Sequence, residues 1–127
     1  MTGVQTCALP ISWDSIGERA AAWERFIHRY PRSPYVERAR EIRGYYRETF
    51  LGGTGNTPAF DYGSPLNGPR LPMRNDLRES LRQFVARHPT TELAAIVREY
   101  LKILVAGDFR ETEDVQLFFQ KYGVRPH

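Results

Sequence analysis

The sequence predicts an all-α fold of antiparallel helix-turn-helix repeats, about five helices with one long inserted loop. Three observations carry this expectation. First, Arg25-Phe26-Ile27-His28-Arg29-Tyr30-Pro31 recurs as Gln83-Phe84-Val85-Ala86-Arg87-His88-Pro89, and more loosely as Leu117-Phe118-Phe119-Gln120-Lys121-Tyr122-Gly123. Second, Phe84 and Phe118 stand 34 residues apart, a period of helical-hairpin repeats. Phe26 and Phe84 stand 58 apart, which is one such period plus an insertion of 24 residues at 52–75. Third, no segment alternates polar and apolar residues with period two, so no sheet is expected.

The elements follow in order. Helix one is expected over 16–30, with Ser15 and Glu18 at capping-box spacing. Ile16, Ala20, Trp23, Ile27 and Tyr30 recur at helical intervals with Phe26 beside them, and Pro31 ends the run. Helix two is expected to open with Ser33 as N-cap and Pro34 in the first turn. Its inward stripe is Tyr35, Ala39, Ile42, Tyr46 and Phe50, and Gly52-Gly53 closes it. Helix three is expected over 76–88, with Leu77, Leu81, Phe84 and Val85 inward. Helix four spans 92–106 between Thr91 and Gly107. Its wide apolar face of Leu93, Ile96, Val97, Tyr100, Leu101, Leu104 and Val105 marks it as the most buried. Helix five spans 113–122 between Thr112 and Gly123. Trp23 and Phe84 are expected at comparable depth in the core.

Residues 1–11, Met-Thr-Gly-Val-Gln-Thr-Cys-Ala-Leu-Pro-Ile, match the translation of a common short-read sequencing adapter. They are set aside as an artefactual segment without a tertiary role. Residues 12–127 are taken as a single helical-repeat domain. On that reading the natural start, any targeting signal and a helix preceding helix one lie upstream. Helix one would then expose an apolar strip and invite self-association.

Composition narrows the chemistry. The net charge is +3, and Cys7, the only cysteine, falls in the segment set aside. That removes disulfides, zinc–thiolate sites and cysteine nucleophiles from the remainder. No stretch approaches the roughly 20 apolar residues of a membrane span. Gly52-Gly53-Thr54-Gly55-Asn56-Thr57 follows a helix rather than a strand and lacks a lysine, so a helix stop is favoured over a phosphate cradle. The three histidines do not align between the repeats, and no Ser-His-Asp grouping is indicated. Asp61 stands alone in the insertion, and the other carboxylates are scattered over helical faces. No catalytic residue, metal site or cofactor is expected.

Two features remain as candidate partner-binding sites. The insertion interleaves Phe60, Tyr62, Leu66, Leu71 and Met73 with four prolines. It can pack on the helices, offer an aromatic binding loop, or stay mobile; loops this long are seldom idle. The first repeat is rich in arginine, with Arg29, Arg32, Arg38, Arg40, Arg43 and Arg47. Glu37, Glu41 and Glu48 interleave with them as on a salt-bridged, solvated helix. Arg40, Arg43 and Arg47 are the residues an acidic partner would meet.

The string Trp23-x-x-Phe26-x-x-x-Tyr30-Pro31-x-Ser33-Pro34-Tyr35-x-x-x-Ala39 resembles tetratricopeptide-like repeats of bacterial envelope proteins. The similarity covers about 16–51 well and 77–122 more loosely. Arg19 stands where a small residue is usual, and Lys102 where a glycine is. The resemblance implies a non-catalytic scaffold for a protein or peptide, with a periplasmic or outer-membrane-associated location. The alternative is a nucleic-acid or anionic-polymer binder using the arginine face, which ranks behind a protein partner. The compartment stays open.

Overall fold

The structure is a computed structural model, and it describes residues 12–61 and 70–127. Residues 1–11 and Tyr62 lie outside the described residues, as does Leu66. Five α-helices follow one another: α1 Trp13–Arg29, α2 Val36–Gly52, α3 Asn75–Arg87, α4 Glu92–Ala106 and α5 Glu113–Tyr122. The fold is all-α. Among the described residues the strand-like pairing is confined to isolated bridges, such as that between Gly53 and Pro58. None of the helices is long and apolar enough to cross a membrane.

Packing follows the hairpin-repeat pattern. α1 lies chiefly against α2 and also meets α3; α3 packs on α4, and α4 on α5. The sequence repeat is written into the backbone. Tyr30 closes α1 at φ −127°, ψ 60°, and His88 closes α3 at φ −128°, ψ 54°. Each donates its N–H to the carbonyl four residues back, Phe26 at 2.9 Å and Phe84 at 2.8 Å. A proline follows in both copies and forbids another helical turn.

α4 and α5 begin and end where the sequence places them. Thr91 Oγ1 accepts from Ala94 N–H, and Thr112 Oγ1 from Val115 N–H. α1 starts earlier than expected. Ser12, not Ser15, is the N-cap, its hydroxyl accepting from Ser15 N–H at 3.1 Å. The earlier start brings Trp13 into the core. α2 starts later than expected. Ser33 Oγ accepts from Tyr35 N–H, a local turn that competes with a helix N-cap. Tyr35 therefore leaves the helical stripe and is 71% exposed.

The core is built around Phe50, Leu51, Leu77, Leu81, Phe84, Leu93, Val97, Tyr100, Leu104 and Phe118. Tyr100 stacks on Phe118 with centroids 4.6 Å apart and donates its hydroxyl to Leu51 O at 2.9 Å. Gly17 allows α1 to approach α3. A Cβ there would stand 3.0 Å from Phe50 and 3.1 Å from Phe84. Three depth expectations are corrected. Phe84 is fully buried, but Trp23 and Phe26 at the corresponding depth in α1 are only half-buried. Ile42 and Tyr46 are also half-buried. Val105, off the 93/97/100/104 stripe, is exposed.

The described part of the insertion packs against the helices. Gly53 turns the chain at φ 77°, where a Cβ would collide with Thr57 O. Pro58, Ala59, Phe60 and Met73 are buried. Ala59 N–H donates to Gly52 O, Arg74 N–H to Ala59 O, and Met73 N–H to Phe109 O. Arg70 binds Phe60 O at 2.6 Å and Glu111 at 3.0 Å. Asp61 is not alone, since Arg74 pairs with it at 2.8 Å. Opposite, Asp108 and Phe109 both take positive φ, 56° and 58°. Left-handed backbone is costly for phenylalanine. The Phe109 ring is buried, under the Arg78 guanidinium 3.8 Å from the ring centroid, and this burial offsets the cost.

Candidate functional site

The candidate site residues separate once placed. Phe60 is 2% exposed, a core residue rather than a partner platform. It is buried because the loop closes back on the end of α2 and on the start of α3. Arg40 is exposed and paired with Glu37, and Arg38 pairs with Glu41 at 3.1 Å. Both are exposed i,i+3 pairs of small energetic consequence. Arg47 points inward, 2.8 Å from Glu24 and 3.5 Å from Glu92. Arg43 lies beside it, half-buried, with a buried Nε that meets no hydrogen-bond acceptor among the described residues. Burial lowers the Arg43 pKa from its ordinary value, and the neighbouring Arg47 charge adds to this. The three arginines are thus not one basic face.

The residue that organises this region is Glu24, one of the carboxylates that the sequence scatters over helical faces. Its side chain is 5% exposed. Besides Arg47, it accepts from Glu92 N–H at 2.9 Å and Leu93 N–H at 3.3 Å, satisfying the first turn of α4. The sign of this role was available. Glu24 falls on the apolar stripe of α1, between Ala20 and Ile27.

A second polar seam joins α1 to α3. Glu18 accepts from Arg87 Nε at 3.1 Å and contacts His88 Nε2 at 2.8 Å; Asp14 bonds Ser80 and lies 3.9 Å from Arg87. Burial pushes the Glu18 carboxyl up. The bonds from His88 and Arg87 outweigh it, and the pKa falls below the ordinary 4.5. Glu92, drawn down by Arg47 and Arg43 against the burial effect, shifts the same way. Carboxylates with lowered folded-state pKa values contribute stability above their unfolded values, and lose it as pH falls through the folded ones. The melting temperature is therefore expected to drop between about pH 5 and pH 3. In Glu18→Gln it should start lower at pH 6 and drop less steeply. Parallel acid profiles for the two proteins would refute the role given to Glu18.

Two surfaces remain open. A cleft of about 750 Å³ lies between the start of α1, the second half of α2, the 54–57 turn and the start of α3. Trp13, Ile16, Tyr45 and Tyr46 form its apolar wall; Thr49, Thr54, Thr57 and Ser80 bring hydroxyls, and Asp14, Asp76 and Arg74 bring charge. Tyr45 is 57% exposed and meets Tyr46 edge to face, at 5.4 Å. The other surface is the tip of the first hairpin, where Phe26, Tyr30, Pro31, Pro34 and Tyr35 gather with Arg29 and Arg32. No family model matches the chain, and no characterised protein or solved structure is detectably similar to it.

Proposed function

We propose that the chain is a non-catalytic scaffold that holds a segment of a protein partner in the cleft between α1, α2 and α3. The observation that carries this reading is the cleft's make-up. A wall of Tyr45 and Tyr46, backed by the buried Trp13, faces scattered hydroxyls and a few charges, within the volume range of ligand-binding clefts. Tyrosine and tryptophan supply large contact area with little rotamer entropy to lose, which suits them to recognising a peptide. Placement in a bacterial envelope rests on the Trp23-to-Ala39 string alone. The competing anionic-polymer reading loses Arg47 to its pair with the buried Glu24.

Selection from a random dodecapeptide display library, followed by calorimetry at low and high salt, tests the proposal. Selected peptides are expected to bind with weak salt dependence and to lose about tenfold or more in affinity against Tyr46→Ala. Binding that ignores both Tyr45→Ala and Tyr46→Ala would refute the cleft. Affinity that collapses with salt and is matched by single-stranded nucleic acid would establish the polymer reading instead.

A further inference from the structure

The internal repeat makes each hairpin a template for the other, and the two are not equally covered. Adding 58 to a residue of the first hairpin gives its counterpart in the second. Phe26, Arg29 and Tyr30 thus correspond to Phe84, Arg87 and His88. In the second hairpin all three are engaged by α1. Gly17 lies against the Phe84 ring, Glu18 binds Arg87 and His88, and Asp14 approaches Arg87. In the first hairpin Phe26 is half-buried and Tyr30 is 49% exposed. Arg29 lies over the Tyr30 ring, 5.7 Å from its centroid. Arg25, Arg29 and Arg32 have no ion pair among the described residues.

We propose that this face docks an acidic helix of a protein partner, seated on Phe26, Arg29 and Tyr30 as α1 is seated on Phe84, Arg87 and His88. The inference rests on the scaffold reading above and adds a second surface to it. The template specifies the occupant's chemistry. On α1 the covering face is Asp14-x-x-Gly17-Glu18, two carboxylates four residues apart with a small residue against the ring. Arg29 would take the Nε hydrogen bond that Arg87 makes to Glu18, with the second carboxylate at ion-pair distance, and the Tyr30 hydroxyl would donate where His88 contacts Glu18. Arg25 and Arg32, which replace Gln83 and Thr90, add positive charge and favour an acidic partner further. The Glu24 contact does not carry over. Its counterpart acceptor site would need the N–H of residue 34, a proline, and Tyr35 N–H is already bonded to Ser33.

A second copy of this chain does not meet the specification. Among the described residues only α1 and α2 carry carboxylates four apart within one helix. The α1 pair is engaged by α3. On α2, Arg40 stands where α1 has Gly17, so the Glu37–Glu41 face presents a long side chain where the ring needs a small one.

Two capped alanine-rich helical peptides of identical composition test this on the full chain, read by amide chemical shifts. One carries its two glutamates four apart, the other two apart, on opposite sides of the helix. The first is expected to shift the amides of 26–35 and to bind about tenfold more tightly than its isomer, the scale of one charge-assisted hydrogen bond. Arg29→Ala, exposed and so harmless to the fold, should abolish that difference. Arg29→Glu should prefer a peptide with lysines four apart. Equal affinity of the two isomers, or shifts around Trp13, Tyr45 and Tyr46 instead, would overturn the docking face; the second outcome would leave the scaffold reading standing. Concentration-dependent dimerisation that Arg29→Glu abolishes would overturn the choice of a partner over a second copy. Failure of the scaffold reading itself appears separately, in the peptide selection against the tyrosine variants.

Discussion

Glu24→Ala is expected to destabilise the fold by about 3–5 kcal/mol, the scale for removing one partner of a buried ion pair. The side chain holds three things at once: the Arg47 guanidinium and two N–H groups of the first turn of α4. Without it Arg47 remains inside with Glu92 as a longer-range partner at 3.5 Å, and its Nε meets no acceptor among the described residues. The two α4 donors would lose their acceptor in a place water reaches poorly. The arrangement also links the hairpins, because Glu24 belongs to α1, Arg47 to α2 and the capped turn to α4. Urea denaturation should show the loss in the single variant. The double variant Glu24→Ala with Arg47→Ala should cost less than the two singles added, by about 1 kcal/mol or more. A single-variant loss below about 1 kcal/mol would mean water fills the site and the carboxylate is dispensable.

That this residue escaped the sequence reading has a physical reason. Helices are legible where apolar spacing and caps agree, and α4 and α5 were of that kind. Thr91 and Thr112 offer hydroxyls before a glutamate, and Gly107 and Gly123 follow the last apolar turn. Where two hydroxyls compete, the boundary slips. Ser12 outdoes Ser15 as the cap of α1, and Ser33 spends its oxygen on a turn. A glutamate on an apolar stripe is ambiguous in one dimension, because its meaning depends on Arg47 and on the start of α4, more than 20 and 60 residues away. The insertion was ambiguous in the same way. Its composition allowed packing or display, and for the described residues the decision lies with contacts to Glu111 and Phe109 across the chain. The repeat was fully visible in the sequence, but the exposure of its two copies was not. Depth depends on which helix lies next door: α1 covers the Phe84 face of α3, and no described helix covers the Phe26 face of α1 in the same way.

Phe84→Ala is expected to cost about 3–5 kcal/mol, and Phe26→Ala much less, although the two occupy the same place in the repeat. Phe84 is fully buried, 5.4 Å from the Phe50 centroid and against the Gly17 backbone. Its removal leaves a cavity between α1, α2 and α3 that the Gly17 contact cannot collapse into without moving a helix. Phe26 meets Trp23 at 5.8 Å and Tyr30 at 5.4 Å on a surface where water and mobile rings can fill the gap. Its loss should stay within about 1.5 kcal/mol, and should lower affinity for an acidic helical peptide more than it lowers stability. Thermal melts of the two variants, each with and without such a peptide, separate the cases. Equal losses from Phe26→Ala and Phe84→Ala would mean that the first hairpin's outer face is already covered. Unequal losses that become equal only with the peptide bound would show the same phenylalanine acting as core in one copy and as contact surface in the other.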